Sequence, residues 1–314
     1  MPWRGHQEHV ILGESLRNWR KQLRSRALQF SAERRKIAGG QNLVAELTDF
    51  EQQALEVFGI AAVEGHSTSR LCFQIHPGTK IYNWEKYSGW YSLENIWRQV
   101  KEFRKYLHNI GKIHPDGVNV IGYSQGGLIA RASIQTLPYH NVNNFISLSS
   151  PQAGQFGANF LHLIFPDLAA SNAYELFYSK VGQHISIANY WNDPSKQNMY
   201  FKFSKFLPLI NNEIRTYNSS QYKQSLLRLS KMVLVGGPND GVITPWESSH
   251  FGFFNESLDI IPLHKREIYT ADTIGLQTLE RNGKLIVVIR PFTHHLTWHT
   301  NRRVIREIIL PYLD

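Results

Sequence analysis

The pentapeptide Gly122-Tyr123-Ser124-Gln125-Gly126 is the first place where residue types and spacing in this chain could do chemistry. A serine hydroxyl is a weak nucleophile until a base takes its proton, so an imidazole and an orienting carboxylate must accompany it. Small residues two before and two after the serine let a strand and a helix approach around a strained turn. The first amides of such a helix point at a developing oxyanion, which makes the backbone amide of Gln125 the expected oxyanion-hole donor. Downstream, Val233-Leu-Val-Gly-Gly-Pro-Asn-Asp240-Gly reads as a strand running into a turn that carries an acid. Asp240 would sit just past a strand's C-terminal end, where catalytic groups collect in parallel sheets. Beyond it, Arg290-Pro-Phe-Thr-His294-His295-Leu-Thr-Trp-His299 places three histidines after a strand-like run. Their spacing alone leaves the choice of base open among His294, His295 and His299.

These residues need elements to hold them. Val118-Asn-Val-Ile121 is a short β-branched run of buried-strand character, followed by the serine turn and a helix over 125–137, stopped by Pro138. Asn144-Phe-Ile-Ser-Leu148 is the next strand, and strand–helix–strand at this spacing implies a parallel sheet with a right-handed crossover. Upstream, Ile96, Trp97, Val100, Phe103 and Leu107 recur at intervals of three and four and predict a helix over 93–107. Lys80-Ile-Tyr-Asn-Trp84 reads as a short strand. Residues 151–230 are aromatic-rich, are broken by Pro166, Pro194 and Pro208, and read as an insertion without regular strands. The sheet resumes at Met232-Val-Leu-Val235 and Leu285-Ile-Val-Val-Ile289, and 301–313 reads as a closing helix. The pattern is α/β, with the chain order serine, acid, histidine of an α/β-hydrolase fold: a mainly parallel central sheet, helices on both faces and an insertion at about 151–230.

Composition narrows the function classes. Hydrophobic residues make up 42% and charged residues 19% of the 314, an ordinary globular balance. The net charge of +9 is concentrated early: residues 1–36 carry +6, leaving +3 for the other 278, with no basic stripe of the kind that binds nucleic acid. Residues 1–70 therefore read as an atypical basic segment, helical or disordered, ahead of a hydrolase domain at 71–314. No apolar run is long enough to span a bilayer, so no stable membrane insertion is expected. Cys72 is the single cysteine, which excludes an intrachain disulfide and any cysteine-based metal site. His295 and His299 have helical spacing for a metal pair but no third ligand cluster beside them, so neither metal nor cofactor is expected. No signal-peptide pattern is visible at the N-terminus, and Asn218-Ser-Ser and Asn255-Glu-Ser are glycan acceptors only in a secretory setting. His250 and His264 read as surface residues of a loop.

From about residue 75 onward the chain resembles the palmitoyl-protein thioesterases, and among them the lysosomal thioesterases. The resemblance is carried by His76-Pro-Gly-Thr79, Gly122-Tyr-Ser-Gln-Gly-Gly-Leu128, Asn144-Phe-Ile-Ser-Leu-Ser-Ser-Pro-Gln-Ala-Gly154, Asn189-Tyr-Trp191, Gly236-Gly-Pro-Asn-Asp-Gly-Val-Ile-Thr-Pro-Trp246, Phe251-Gly-Phe253 and Thr297-Trp-His-Thr-Asn-Arg302. It implies a triad of Ser124, Asp240 and His295, acting on long-chain acyl thioesters such as acyl-CoA or an S-acyl peptide, in a lysosome. It further implies that the insertion walls an acyl groove, with Phe156, Phe160, Leu163, Ile164, Phe165 and Phe177 as candidate liners. Two features depart from the family pattern besides the missing leader. The disulfide cysteines are absent, and the His-Gly loop that supplies a second oxyanion donor has only Phe58-Gly59 as an echo. A serine triad does not itself distinguish sulfur from oxygen leaving groups. An oxyester lipase or carboxylesterase, or an acyl-binding homologue with an incomplete oxyanion hole, are therefore the alternative readings.

Overall fold

The computed structural model describes residues 79–84, 86–87, 89–162 and 172–313. The basic segment 1–70, Phe58-Gly59, Cys72, His76-Pro-Gly78 and the three liners Leu163, Ile164 and Phe165 lie outside the described residues.

A helix, α1, spans Ile96–Ile113, six residues past the expected end, and Asn95 caps it by accepting a hydrogen bond from the Trp97 amide. Strand β1 (Val118–Tyr123) leads through Ser124 into α2 (Gln125–Gln135) and then β2 (Val142–Leu148). The insertion that follows contains short helices at Ala158–His162, Ala173–Phe177, Ser186–Tyr190, Gln197–Phe203 and Leu207–Ile210, then α3 (Ser219–Leu227). Strand β3 (Lys231–Gly236) returns to the sheet. A small antiparallel hairpin, β4 (Phe253–Phe254) with β5 (Ile260–Ile261), precedes α4 (Leu276–Arg281) and the last strand, β6 (Leu285–Ile289). The main sheet has the order β1-β2-β3-β6, with every pairing parallel.

The two central strands are buried on both faces over 144–148 and 232–236, which is why their apolar residues fall next to one another rather than alternating with exposed polar ones. Phe145, Met232, Leu234 and Leu285 face a cluster built with Leu107 of α1, Ala130 and Ile134 of α2, Leu226 of α3 and Leu276 and Leu279 of α4. Ile146, Leu148, Val233 and Val235 face the opposite cluster, with Trp298, Val304, Ile305, Ile308 and Ile309. The edge strand β6 has the same apolar texture but leaves Val287 and Ile289 41% and 59% exposed. Among the described residues no helix is long and apolar enough to cross a membrane.

Two expected elements differ. Residues 80–84 form no strand. The Tyr106 hydroxyl takes the Asn83 carbonyl, and Trp84 packs on Tyr87 and Phe103, so side chains from α1 replace a strand ladder. The closing helix is not uniform: α-helical at Arg302–Val304, it widens to a π turn over Ile305–Ile309 and tightens to a 3-10 turn at Leu310–Tyr312. The widening brings Ile305, Ile308 and Ile309 together against the sheet. Pro311, with no N–H, cannot continue regular helical bonding.

Arg131 ties the insertion to the rest. Fully buried on α2, it donates to Gln152 Oε1, Gln135 Oε1, the Ile210 carbonyl and Asn211 Oδ1. Burial pulls its pKa down to about 9, which leaves it charged at neutral pH and satisfied by these acceptors.

The packing predicts a contrast across the sheet. Phe145→Ala, at a fully buried site, should lower unfolding free energy by about 3–5 kcal/mol. Val287→Ala, on the exposed face of β6, should cost less than about 1 kcal/mol. Urea titrations of both variants check this.

Candidate active site

Ser124 stands between β1 and α2 with φ 52° and ψ −131°, a left-handed backbone that turns its side chain out at the end of the strand. The turn closes because no side chain intervenes: a Cβ on Gly122 would lie 2.6 Å from the Gly127 Cα, and one on Gly127 would lie 2.6 Å from Ser150 Cβ. The close approach thus runs through Gly122 and Gly127, one residue beyond the pentapeptide. Gln125 opens the helix, where an amide has no acceptor one turn back. Its side chain turns away toward α1, donating to the Ser92 carbonyl at 2.9 Å. The backbone N–H is thus left as the helix-end donor beside Ser124 Oγ.

The strand ends line up across the sheet: Tyr123 pairs with Leu148, Leu148 with Val235, and Val235 with Val288. Side chains that follow these residues share one edge. Asp240 lies in the turn after β3, where its Oδ1 accepts from the amides of Val242 (3.1 Å) and Ile243 (2.8 Å). His295 follows β6, and its amide donates to the Asp240 carbonyl at 2.8 Å while its carbonyl accepts from the Tyr123 hydroxyl at 2.6 Å. The imidazole bridges the other two groups, with Nδ1 2.9 Å from Asp240 Oδ2 and Nε2 3.0 Å from Ser124 Oγ. Ser124, Asp240 and His295 are 6%, 3% and 1% exposed, so their interactions are little diluted by water.

The structure separates the three histidines. His294 is exposed, and His295 reaches the serine. His299 is buried with its ring 4.9 Å from that of Tyr123, which also lies 5.0 Å from the His295 ring. His264 is on the surface against Glu280, as expected. His250 is not: it is 7% exposed, in a 3-10 turn and edge-on to Trp246. The segment around it looked like a loop because its polar residues, Ser248 and Ser249 among them, are themselves buried.

Burial would push the Asp240 carboxyl up, but the facing His295 charge and hydrogen bonds from His295, Ser149 and the Ile243 amide outweigh it and hold it below the usual carboxylate value. Two further groups touch Asp240 that the sequence reading did not single out. The Ser149 hydroxyl lies 2.5 Å from Oδ2, and the Trp298 indole Nε1 donates to the same oxygen at 2.7 Å. The strand-end rule that found Asp240 would have found Ser149 had it been applied to β2. Trp298 carried no such signal. Among the described residues no group of three or more His, Cys, Asp or Glu could hold a metal ion.

Of the expected acyl liners, Phe156 is half-buried, packing on Trp191 and Phe254. It is tied to the acid turn: its amide donates to the Thr244 carbonyl, and Gln155 donates to the Val242 carbonyl. Phe160, 3% exposed, packs near Tyr190, and Phe177, fully buried, meets Trp191 edge-on.

Burial lowers the pKa of both His250 and His299 to about 4. The folded state then holds them neutral while the unfolded chain takes up protons near the ordinary histidine value. Stability is complete above about pH 6.5 and falls as pH drops toward 4, by at most roughly 3 kcal/mol per histidine. Urea unfolding at pH 7, 5.5 and 4.5 should show this decline, and His299→Phe should flatten it.

Known proteins match this chain over most of its length. A model of the family described as palmitoyl protein thioesterase matches residues 58–295. A lysosomal thioesterase PPT2 homolog of Drosophila melanogaster is 63% identical over 77% of this chain and 84% of its own length. The lysosomal thioesterases PPT2 of Rattus norvegicus and Homo sapiens are 42% and 41% identical, each over 77% of this chain and 80% of their own length. A solved lipase-esterase related protein from Clostridium acetobutylicum ATCC 824 aligns with 82% of this chain and 89% of its own, at 14% identity and a TM-score of 0.38. With a doubly covered parallel sheet, a serine elbow and these matches together, the chain belongs to the palmitoyl protein thioesterase family and is a thioesterase of the α/β-hydrolase fold.

Proposed function

We propose that Ser124, His295 and Asp240 are the nucleophile, base and orienting carboxylate for hydrolysis of long-chain acyl thioesters, either acyl-CoA or S-acylated cysteine. The observation that carries this reading is the unbroken chain from Ser124 Oγ through His295 to Asp240, with links of 3.0 and 2.9 Å. His295 Nε2 takes the Ser124 proton as Oγ attacks the thioester carbonyl, and Asp240 favours the tautomer that leaves Nε2 free to do so. The tetrahedral oxyanion lies against the Gln125 amide at the start of α2. Its collapse expels the thiolate, which takes the proton from His295 and leaves an acyl-serine. A water molecule, deprotonated by the same imidazole, then attacks the acyl-serine, and the fatty acid departs as Ser124 recovers its proton.

Phe156, placed beside the acid turn, is the first proposed contact for the acyl chain, with Phe160 and Phe165 farther along the insertion. Each methylene covered there would contribute about 0.8 kcal/mol, so affinity should rise with chain length until the groove is full. A lysosomal location is proposed from the names of the relatives, and an S-acylated peptide is the proposed physiological class of substrate.

Thiol release from an acyl-CoA series and an S-palmitoyl peptide, beside an oxyester panel, tests the reading. Ser124→Ala should lower kcat by at least about 10⁴-fold, and Asp240→Asn by about 10³–10⁴-fold, with the fold intact by circular dichroism. Turnover by Ser124→Ala equal to that of the unmodified chain would remove the nucleophile assignment. Faster cleavage of oxyesters than thioesters would contradict the substrate class.

A further inference from the structure

We propose that Ser149 is a positioning residue for this reaction, its hydroxyl fixing the Asp240 carboxylate and, through it, the His295 imidazole. The proposal rests on the reading of Ser124, His295 and Asp240 given above.

Ser149 is the first residue past β2, as Ser124 is the first past β1, and the two preceding residues are register partners. Its amide donates to the Val235 carbonyl at 2.7 Å, extending the sheet ladder by one bond. Its φ is 42°, a left-handed backbone that a residue with a Cβ adopts only under strain. Nothing about a simple loop would select serine there, since glycine adopts that backbone freely. What the conformation achieves is aim. The 1%-exposed residue puts Oγ 2.5 Å from Asp240 Oδ2 and 3.4 Å from His295 Nδ1.

Oδ1 of the carboxylate is fixed by two backbone amides, whereas Oδ2 relies on the Ser149 hydroxyl and the Trp298 indole; the imidazole Nδ1 lies nearly equidistant from the two oxygens, 3.0 Å from Oδ1 and 2.9 Å from Oδ2. The hydroxyl has one proton, and an ionised carboxylate can only accept, so Ser149 donates to Asp240 and turns its lone pairs toward the Nδ1 side. Removing that donor leaves a buried carboxylate with less stabilisation of its charge, so the Asp240–His295 pair binds a proton more tightly. The remaining groups facing the pair are Tyr123 from β1, bonded through its hydroxyl to the His295 carbonyl, and His299 from the turn after His295. Neither replaces a donor on Oδ2.

Ser149→Ala and Ser149→Gly, prepared in the full chain and assayed with palmitoyl-CoA from pH 4 to 9, test this. Both should lower kcat about tenfold with KM changed less than about twofold, the scale of one charge-assisted hydrogen bond. Both should also move the acid limb of kcat/KM upward by about half a pH unit. Ser149→Gly relieves the strained backbone and should unfold at a higher temperature than Ser149→Ala while sharing its kinetic defect. A purely structural serine predicts the reverse: a glycine variant with unmodified kcat and acid limb would overturn the proposal. Ser124→Ala runs alongside. If it is inactive while Ser149→Ala keeps both kcat and the acid limb, only the role of Ser149 falls; if Ser124→Ala turns over normally, the triad reading itself falls.

Discussion

The lateral register of four parallel strands is the constraint on which the site depends. Tyr123, Leu148, Val235 and Val288 lie abreast, so the residues that leave the sheet after them share one edge. Ser124, Ser149, Asp240 and His295 each come from a different strand end, in sheet order. Because side chains alternate faces along a strand, a slip by one residue in any pairing would take each apolar side chain out of the cluster it packs in and onto the opposite face. The two apolar clusters that forbid such a slip, one on each face, thereby also hold the polar site in place. Packing and chemistry are fixed by the same contacts.

The second controlling feature is a buried negative charge. Isolated in an apolar interior, a carboxylate would be forced to take a proton. Asp240 is spared this by two backbone amides, a hydroxyl, an indole and an imidazole, so the surroundings favour the ionised form. These donors come from three separate stretches of chain, and the carboxylate is therefore a point where distant segments are held to one another. His295 gains from the same economy of contacts, since its backbone is bound at the amide by Asp240 and at the carbonyl by Tyr123. The imidazole is oriented before any substrate arrives.

Much of this was legible beforehand, for identifiable reasons. The glycine-bracketed serine, the β-branched runs and the acid at a strand end are local signals, because tight turns and buried strands restrict which residues fit. Choice among the three histidines was not local: His294 and His295 are neighbours in sequence, and only the path of the chain after β6 decides which faces the serine. Ser149 was hidden inside a Ser-Ser-Pro run that resembles any turn, since nothing in residue type reveals a left-handed φ. His250 was misread because exposure cannot be judged from polarity when polar neighbours are also buried. The stretch 80–84 had strand-like composition, but side-chain contacts with α1 hold it instead of a strand ladder.

The long excursion between β2 and β3 has a consequence for how such a protein can change over time. It leaves the sheet at Leu148 and rejoins it at Lys231, two points fixed by neighbouring strands, and a buried arginine pins its far side to the elbow helix. Entropy charges little for extra length in a loop whose ends are already held, about 0.6 kcal/mol per doubling. The excursion can therefore be lengthened, shortened or rewritten while the four strand ends stay where they are. The length of the insertion and the placement of the strand-end side chains are thus separately variable properties of one chain.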